Sequence, residues 1–213
     1  MEAWSPGDHL YGTCVVLTHI NLIYINIPKN ASTWTKSQLS TLGGEYGNYF
    51  ENSELVKKPK LIMLRDPVER WISGISWYMT LTFPDLIDQC EKNNVVRSTV
   101  MSMAANKIDF DEHTTPQMNF LQGIKFNNAT FIKVKANDNT YRTIFSTFVK
   151  DKLGIPNSFD QSPVRHVAAE NPIQARWVEF FQSELDTDLR ARLCEYYQHD
   201  INLFNRVKFY DPR

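Results

Sequence analysis

The stretch Leu22-Ile23-Tyr24-Ile25-Asn26-Ile27-Pro28-Lys29-Asn30-Ala31-Ser32-Thr33-Trp34 decides how this chain is read. Its first six residues form an almost unbroken apolar run, the pattern of a strand covered on both faces. A tight loop of small residues and one lysine follows. A helix then begins, and its first N–H groups have no carbonyl partner within the helix. Unpaired donors, the positive end of the helix dipole, two hydroxyls and one ammonium converge on one point. A phosphate-like or sulfate-like group is the expected occupant.

Working outward, strands are predicted over 12–18, 22–27, 60–64 and 130–135, with helical segments between them. The clearest helix opens at Asp66-Pro67-Val68-Glu69. It has an Asp cap, a Pro at the first helical position and a Glu two residues later. Its apolar face is Val68, Trp71, Ile72, Ile75 and Met79. A second helix spans about 138–153, with Tyr141, Ile144, Phe145, Phe148 and Val149 on one stripe and Gly154 and Pro156 ending it. Asn171-Pro172 caps a third, and 185–204 reads as one long C-terminal helix. Strand–loop–helix followed by strand–helix implies parallel strands with right-handed crossovers. The expected fold class is α/β: a three-layer, P-loop-like parallel sheet flanked by helices. Ligands bind such sheets beyond the carboxyl ends of the strands, which is where Lys29 and Arg65 fall.

The loop at 28–34 shares the logic of a nucleoside-triphosphate P-loop but not its letters. It has no glycine, and its lysine precedes the small residues. A second segment, Arg65-Asp66-Pro67-Val68-Glu69-Arg70-Trp71-Ile72-Ser73, puts an arginine at a strand end. Arg70 and Ser73 follow, three apart and on one helical face. A guanidinium fork suits a phosphate, and a serine hydroxyl can complete the cage. The plainer alternative is surface pairing of Arg65 or Arg70 with Asp66 or Glu69.

Together the two segments resemble the sulfotransferase family, which takes its sulfuryl group from 3′-phosphoadenosine-5′-phosphosulfate (PAPS). Pro28 to Thr33 matches that family's P-K-x-[GA]-[ST]-[ST] loop, and Arg65 to Ser73 its R-D-P-x-x-R-x-x-S segment. The resemblance implies that Lys29, Ser32 and Thr33, with the amides of Asn30 and Ala31, hold the 5′-phosphosulfate. Arg65 and Ser73 would hold the 3′-phosphate, and Trp34 occupies the place of a tryptophan that stacks on adenine in cytosolic members. Asp111-Glu112-His113-Thr114-Thr115-Pro116-Gln117 is similar to a D-E-H-W-x-P-Q segment of the carbohydrate-directed branch, without its tryptophan. The terminal Tyr196-Tyr197-Gln198-His199-Asp200-Ile201-Asn202-Leu203-Phe204 resembles that branch's Y-x-x-D-x-x-L-F helix. Arg165, in the place of a late loop covering the nucleotide, could reach the 3′-phosphate, with His166 beside it.

The resemblance implies in-line sulfuryl transfer to a hydroxyl of a glycan or small-molecule acceptor. Lys29 would stabilise the leaving phosphate, as helix N-terminal amides also do. A general base is needed, and His113 is the candidate because imidazole as a side-chain type ionises near neutrality. Glu112 is the alternative base. No carboxylate constellation for magnesium is evident, so no metal is expected. His9, His19 and His199 read as structural. Asp200 reads as a half-buried tie, and Trp77, Tyr78 and Phe83 as core or acceptor-facing rings.

The bulk composition bounds these readings. At 213 residues and 42% hydrophobic, the chain supports one domain, 1–213, with a substantial core. A net charge of -1 argues against nucleic acid as a main partner. Cys14, Cys90 and Cys194 are too few and too scattered for a disulfide framework or a metal site, which favours a reducing, cytoplasmic setting. No apolar run suits membrane insertion. Two rivals remain open. One is a P-loop-like nucleotide or small-molecule kinase, which strict metal dependence would favour. The other is a non-catalytic nucleotide-binding module, which donor binding without transfer would favour. The acceptor-facing regions, about 43–58 and 80–112, carry no recognised pattern.

Overall fold

The computed structural model describes residues 11–135, 138–155 and 171–212. Its sheet has five strands: β1 (Thr13–Leu17), β2 (Leu22–Ile25), β3 (Glu45–Asn48), β4 (Lys60–Arg65) and β5 (Ala129–Val134), in the order β3-β1-β2-β4-β5. Strands β2, β4 and β5 run parallel, with Ile25 beside Ile62 and Arg65 beside Val134. This parallel core carries the α/β, three-layer class read from the apolar runs. All four residues of β2 are buried, as are the first five of β4.

Two strands depart from the all-parallel expectation. β1 pairs antiparallel with β2, because a short 3-10 turn at Thr18–Ile20 returns the chain at once and Asn21 adopts a left-handed conformation with φ 52°. β3 pairs antiparallel with β1 at the edge of the sheet. Its sequence, Glu45-Tyr46-Gly47-Asn48, has no apolar alternation, and its side chains range from exposed to half-buried. An edge strand paired mainly through its main chain leaves no hydrophobic period to read.

The chain divides into two compact units. The first holds the whole sheet with α1 (Ser32–Thr41), α2 (Ser53–Lys57) and, later in the chain, the helix Thr140–Leu153. The second holds α3 (Pro67–Thr82), α4 (Leu86–Lys92) and α5 (Asn94–Asn106). It also holds three later helices, which with Thr140–Leu153 as α6 become α7 (Pro172–Glu184), α8 (Thr187–Tyr196) and α9 (Gln198–Arg206). The Arg65–Asp66 peptide is one point where the chain passes from the first unit to the second.

In the second unit the predicted start of α3 is present in detail. The Asp66 carboxylate accepts from the N–H groups of Val68 and Glu69 at 3.0 Å each, with Pro67 at the first helical position. The five predicted core residues of α3 are buried, and they share a core with Trp177, Phe181 and Leu193. Asn171 caps α7 as expected. The expected long helix over 185–204 is instead α8 and α9, broken at Tyr197. The i→i−4 bonds Tyr197 to Leu193 and Ile201 to Tyr197, both 2.9 Å, continue across the break. The periodicity therefore continues where the helix does not. Asp200 is 1% exposed, deeper than half-buried. The stretch 80–112, which carries no recognised pattern in the sequence, is largely α4 and α5. Arg176 ties α7 to α4, donating to Asp88 and Glu91 at 2.6 Å each.

Cys14, Cys90 and Cys194 are free thiols, and burial raises Cys14 to about 11. No described helix is long and apolar enough to cross a membrane.

Candidate functional site

In the first unit the loop between β2 and α1 holds the residues for which the sequence predicts anion binding. Lys29 and Ala31 both adopt left-handed backbone conformations, with φ of 66° and 58°. Side chains with a Cβ resist that region by about 1–2 kcal/mol per residue. The loop thus bends as a glycine loop would, without a glycine, and something must hold it there.

Asn30, between the two strained residues, supplies the hold. It is 0% exposed, and its Nδ2 donates to the Met63 carbonyl at 2.8 Å and to Gln117 Oε1 at 2.6 Å. Gln117 in turn grips the end of β4. Its Oε1 accepts from the Arg65 N–H at 3.3 Å, and its Nε2 donates to the Arg65 carbonyl at 3.0 Å. Arg65 closes the circuit, donating from Nη1 to the Lys29 carbonyl at 3.4 Å. Lys29, Asn30, Ala31 and Arg65 are therefore brought together, with Ser32 and Thr33 next in the chain.

Ser32 opens α1, and Ala31 at its cap position provides no side-chain hydrogen bond. Asn52, Asp66, Asn93, Asn171 and Asp186 all cap their own helices. Lys29 and Ser32 are half-buried and Thr33 is exposed. An anion at this terminus would meet main-chain donors and the positive end of the helix dipole.

Trp34 is 3% exposed. Its ring meets Tyr141 and Phe145 of α6 edge-on at 5.5 and 5.3 Å, and the Arg142 guanidinium lies over it at 5.4 Å. In this arrangement the indole packs α1 against α6, and a stacking adenine would have to displace those neighbours. Further along α1, burial lowers the Lys36 ammonium from its ordinary value.

The loop's strain yields a direct stability prediction. Replacing Ala31 with glycine removes the left-handed penalty but adds back unfolded-state freedom of about 0.4–1 kcal/mol. Ala31→Gly is expected to stabilise the protein by roughly 0.5–1 kcal/mol, read as a raised denaturation midpoint with an unchanged denaturant slope.

In the second unit the turn carrying His113 is clamped through its main chain. Arg70, 1% exposed on α3, donates to the carbonyls of Thr115 and, at 3.1 Å, Glu112. Tyr197 donates its phenol to the Thr114 carbonyl, and burial raises that phenol so that it stays protonated. The remaining carbonyl, that of His113, faces Gly74. A Cβ at Gly74 would lie 2.3 Å from it, so only glycine permits this approach. Asp109 braces the turn further, accepting from Thr115 Oγ1 at 2.8 Å and from the Tyr196 phenol at 3.0 Å.

His113 is buried, with 8% of the residue exposed, and its ring lies beside Trp77 with ring centroids 6.4 Å apart. Asp111 accepts from the His113 N–H at 2.9 Å, and its other oxygen is 3.1 Å from His113 Nδ1. A carboxylate only accepts, so this contact places a ring proton on Nδ1. Glu112 Oε1 lies 3.5 Å from the same nitrogen. Asp111, Glu112 and His113 present ligand atoms within 4.8 Å of one another, a group that could hold a metal ion. Ser73 is half-buried on α3, and Tyr78 packs on Phe110 at 5.0 Å.

Arg70 corrects the sequence reading. Its spacing from Ser73 suggested an anion cage, but its guanidinium is spent on two carbonyls of the turn. Arg165 and His166 lie outside the described residues, as does His9; His19 and His199 are exposed. Sequence reasoning missed Gln117 in its role as the link between loop and strand end, Arg70 in its bracing role, and Gly74. A glycine inside a helical pattern costs about 1 kcal/mol against alanine, which itself signals a close approach. A family model described as "Sulfotransferase family" matches residues 13–210, through parts of both units. Neither a curated protein nor a solved structure matches the chain.

Proposed function

The chain belongs to the sulfotransferase family, whose members transfer sulfuryl groups, and from that premise we propose that its donor is PAPS and its acceptor a hydroxyl of a glycan or small molecule. The observation that carries this reading is the joining of two anion-binding segments in one hydrogen-bonded circuit. The Lys29 loop and the end of β4 are linked by Asn30, Gln117 and the Arg65 guanidinium. A donor with phosphates at both its 5′ and 3′ ends needs two such segments at a fixed spacing.

In the proposed reaction the acceptor oxygen attacks sulfur, and the bond from sulfur to the 5′-phosphate oxygen breaks. Lys29, Ser32, Thr33 and the loop amides of Asn30 and Ala31 take up the charge left on that phosphate. Arg65 and Ser73 hold the 3′-phosphate. The acceptor proton passes to His113 Nε2, with Asp111 orienting the ring. Glu112 is the alternative proton acceptor. Trp34 is assigned to packing, and Arg165 keeps its proposed part at the 3′-phosphate. The reaction is proposed to need no metal, and the three free thiols favour a reducing, cytoplasmic setting. Because the family match spans parts of both units, they are read as one functional domain.

Titration calorimetry with 3′-phosphoadenosine-5′-phosphate, with and without magnesium, tests this directly. Micromolar, metal-independent binding is expected. Binding only with magnesium, or tighter binding of ATP, would move the chain to the kinase-like alternative. Arg65→Ala should weaken the bisphosphate by about 10-fold or more while changing adenosine 5′-phosphate little. Equal losses would contradict the 3′-phosphate role.

A further inference from the structure

We propose that Gln117 is the positioning residue that sets the spacing between the 5′ and 3′ anion-binding segments, an inference that rests on the donor reading above. Gln117 is 1% exposed and would not itself meet the nucleotide. Its carboxamide nevertheless bonds to both segments. Oε1 accepts from Asn30 Nδ2 at 2.6 Å and from the Arg65 N–H at 3.3 Å, while Nε2 donates to the Arg65 carbonyl at 3.0 Å.

These contacts need a donor and an acceptor at the end of a side chain of this length. With both Arg65 main-chain groups engaged, the amide supplies what a further strand would supply at the end of β4. It thereby fixes the peptide from which the Arg65 side chain departs. Through Asn30 it fixes the loop between the two left-handed residues Lys29 and Ala31. A buried amide network of this kind is rigid when complete and costly when broken. Displacements of about 1 Å in a positioning network can cost orders of magnitude in function.

A ligand that touches only the Lys29 loop should be nearly indifferent to this spacing. A ligand bridging both segments should depend on it. Gln117 therefore acts on the preference for a nucleoside 3′,5′-bisphosphate over a 5′-monophosphate.

The test titrates the wild type, Gln117→Met and Gln117→Asn with 3′-phosphoadenosine-5′-phosphate and with adenosine 5′-phosphate, at a temperature where thermal melts show each protein folded. Gln117→Met keeps the length and removes the hydrogen bonds; Gln117→Asn keeps the amide and withdraws it by one methylene. Both are expected to weaken the bisphosphate by about 30-fold, as loss of two to three hydrogen bonds implies, and the monophosphate by less than about 3-fold. Should Gln117→Met fail to fold, Gln117→Asn decides alone. Bisphosphate affinity within about twofold of wild type overturns the proposal, as does an equal loss for both nucleotides, which is the mark of a purely structural residue. A wild type that does not prefer the bisphosphate at all overturns the donor reading itself, and this inference with it.

Discussion

Lys29→Ala is expected to slow sulfuryl transfer by about 10²–10³-fold, the usual consequence of removing one preorganised group that meets developing charge. The loss should fall on turnover more than on donor binding. The ammonium is worth most when the leaving phosphate gains charge, and less in the ground state. The fold should survive, because the loop is held elsewhere. Asn30 is bonded to Met63 and Gln117, and Arg65 reaches the Lys29 carbonyl, which alanine retains. Alanine also suffers no more at φ 66° than lysine does. Release of 3′-phosphoadenosine-5′-phosphate from PAPS, measured over a panel of sugar and small-alcohol acceptors, reads the effect. A variant as fast as the wild type would mean that the ammonium does not face the leaving group.

The second large effect is expected at His113. His113→Ala should reduce transfer by about 10²–10⁴-fold, the range for loss of a general base, while calorimetric binding of 3′-phosphoadenosine-5′-phosphate stays unchanged. Asp111 orients the ring, so Asp111→Asn should fall between the wild type and His113→Ala. The asparagine amide can present an N–H toward Nδ1 and favour the wrong tautomer. Transfer undiminished in His113→Ala would pass the base to Glu112. The turn should survive the substitution, since its carbonyls and not its side chains are what Arg70 and Tyr197 grip; loss of donor binding in the same variant would contradict a role confined to the proton.

The parts of this structure legible in the sequence are those written in local chemistry. Asp66-Pro67 announced α3 because a carboxylate cap and a fixed φ act within one turn. The buried runs of β2 and β4 announced parallel strands because both faces are covered. β3 was not legible, since its pairing with β1 uses main-chain atoms that every residue has. The break at Tyr197 was hidden because the i→i−4 bonds continue through it.

At the site, residue types were easier to read than residue roles. Lys29 and Arg65 fall at strand ends, as their positions implied. Arg70 was misread because a guanidinium fork fits phosphate oxygens and peptide carbonyls equally well. Only its burial, with 1% exposure, separates the two. Gln117 is visible in the sequence as the last residue of the Asp111–Gln117 segment, but its linking role is not, because its partners lie 52 and 87 positions away in the chain.

The main-chain clamp on the 112–115 turn also bears on how this sequence can diverge. Three of its four carbonyls are gripped by Arg70 and Tyr197, and the fourth abuts a glycine. Every amino acid brings the same carbonyl, so the imidazole's place is inherited through atoms that mutation at positions 112–115 does not alter. The threonine at 114, where the resembling segment has tryptophan, illustrates this. Its hydroxyl takes up local bonds to Phe110, Asp111 and the Asp111 carbonyl, while the turn stays anchored. Evolutionary constraint is thereby moved off the turn and onto Arg70, Gly74 and Tyr197, and drift at these three should be rarer than drift at Thr114.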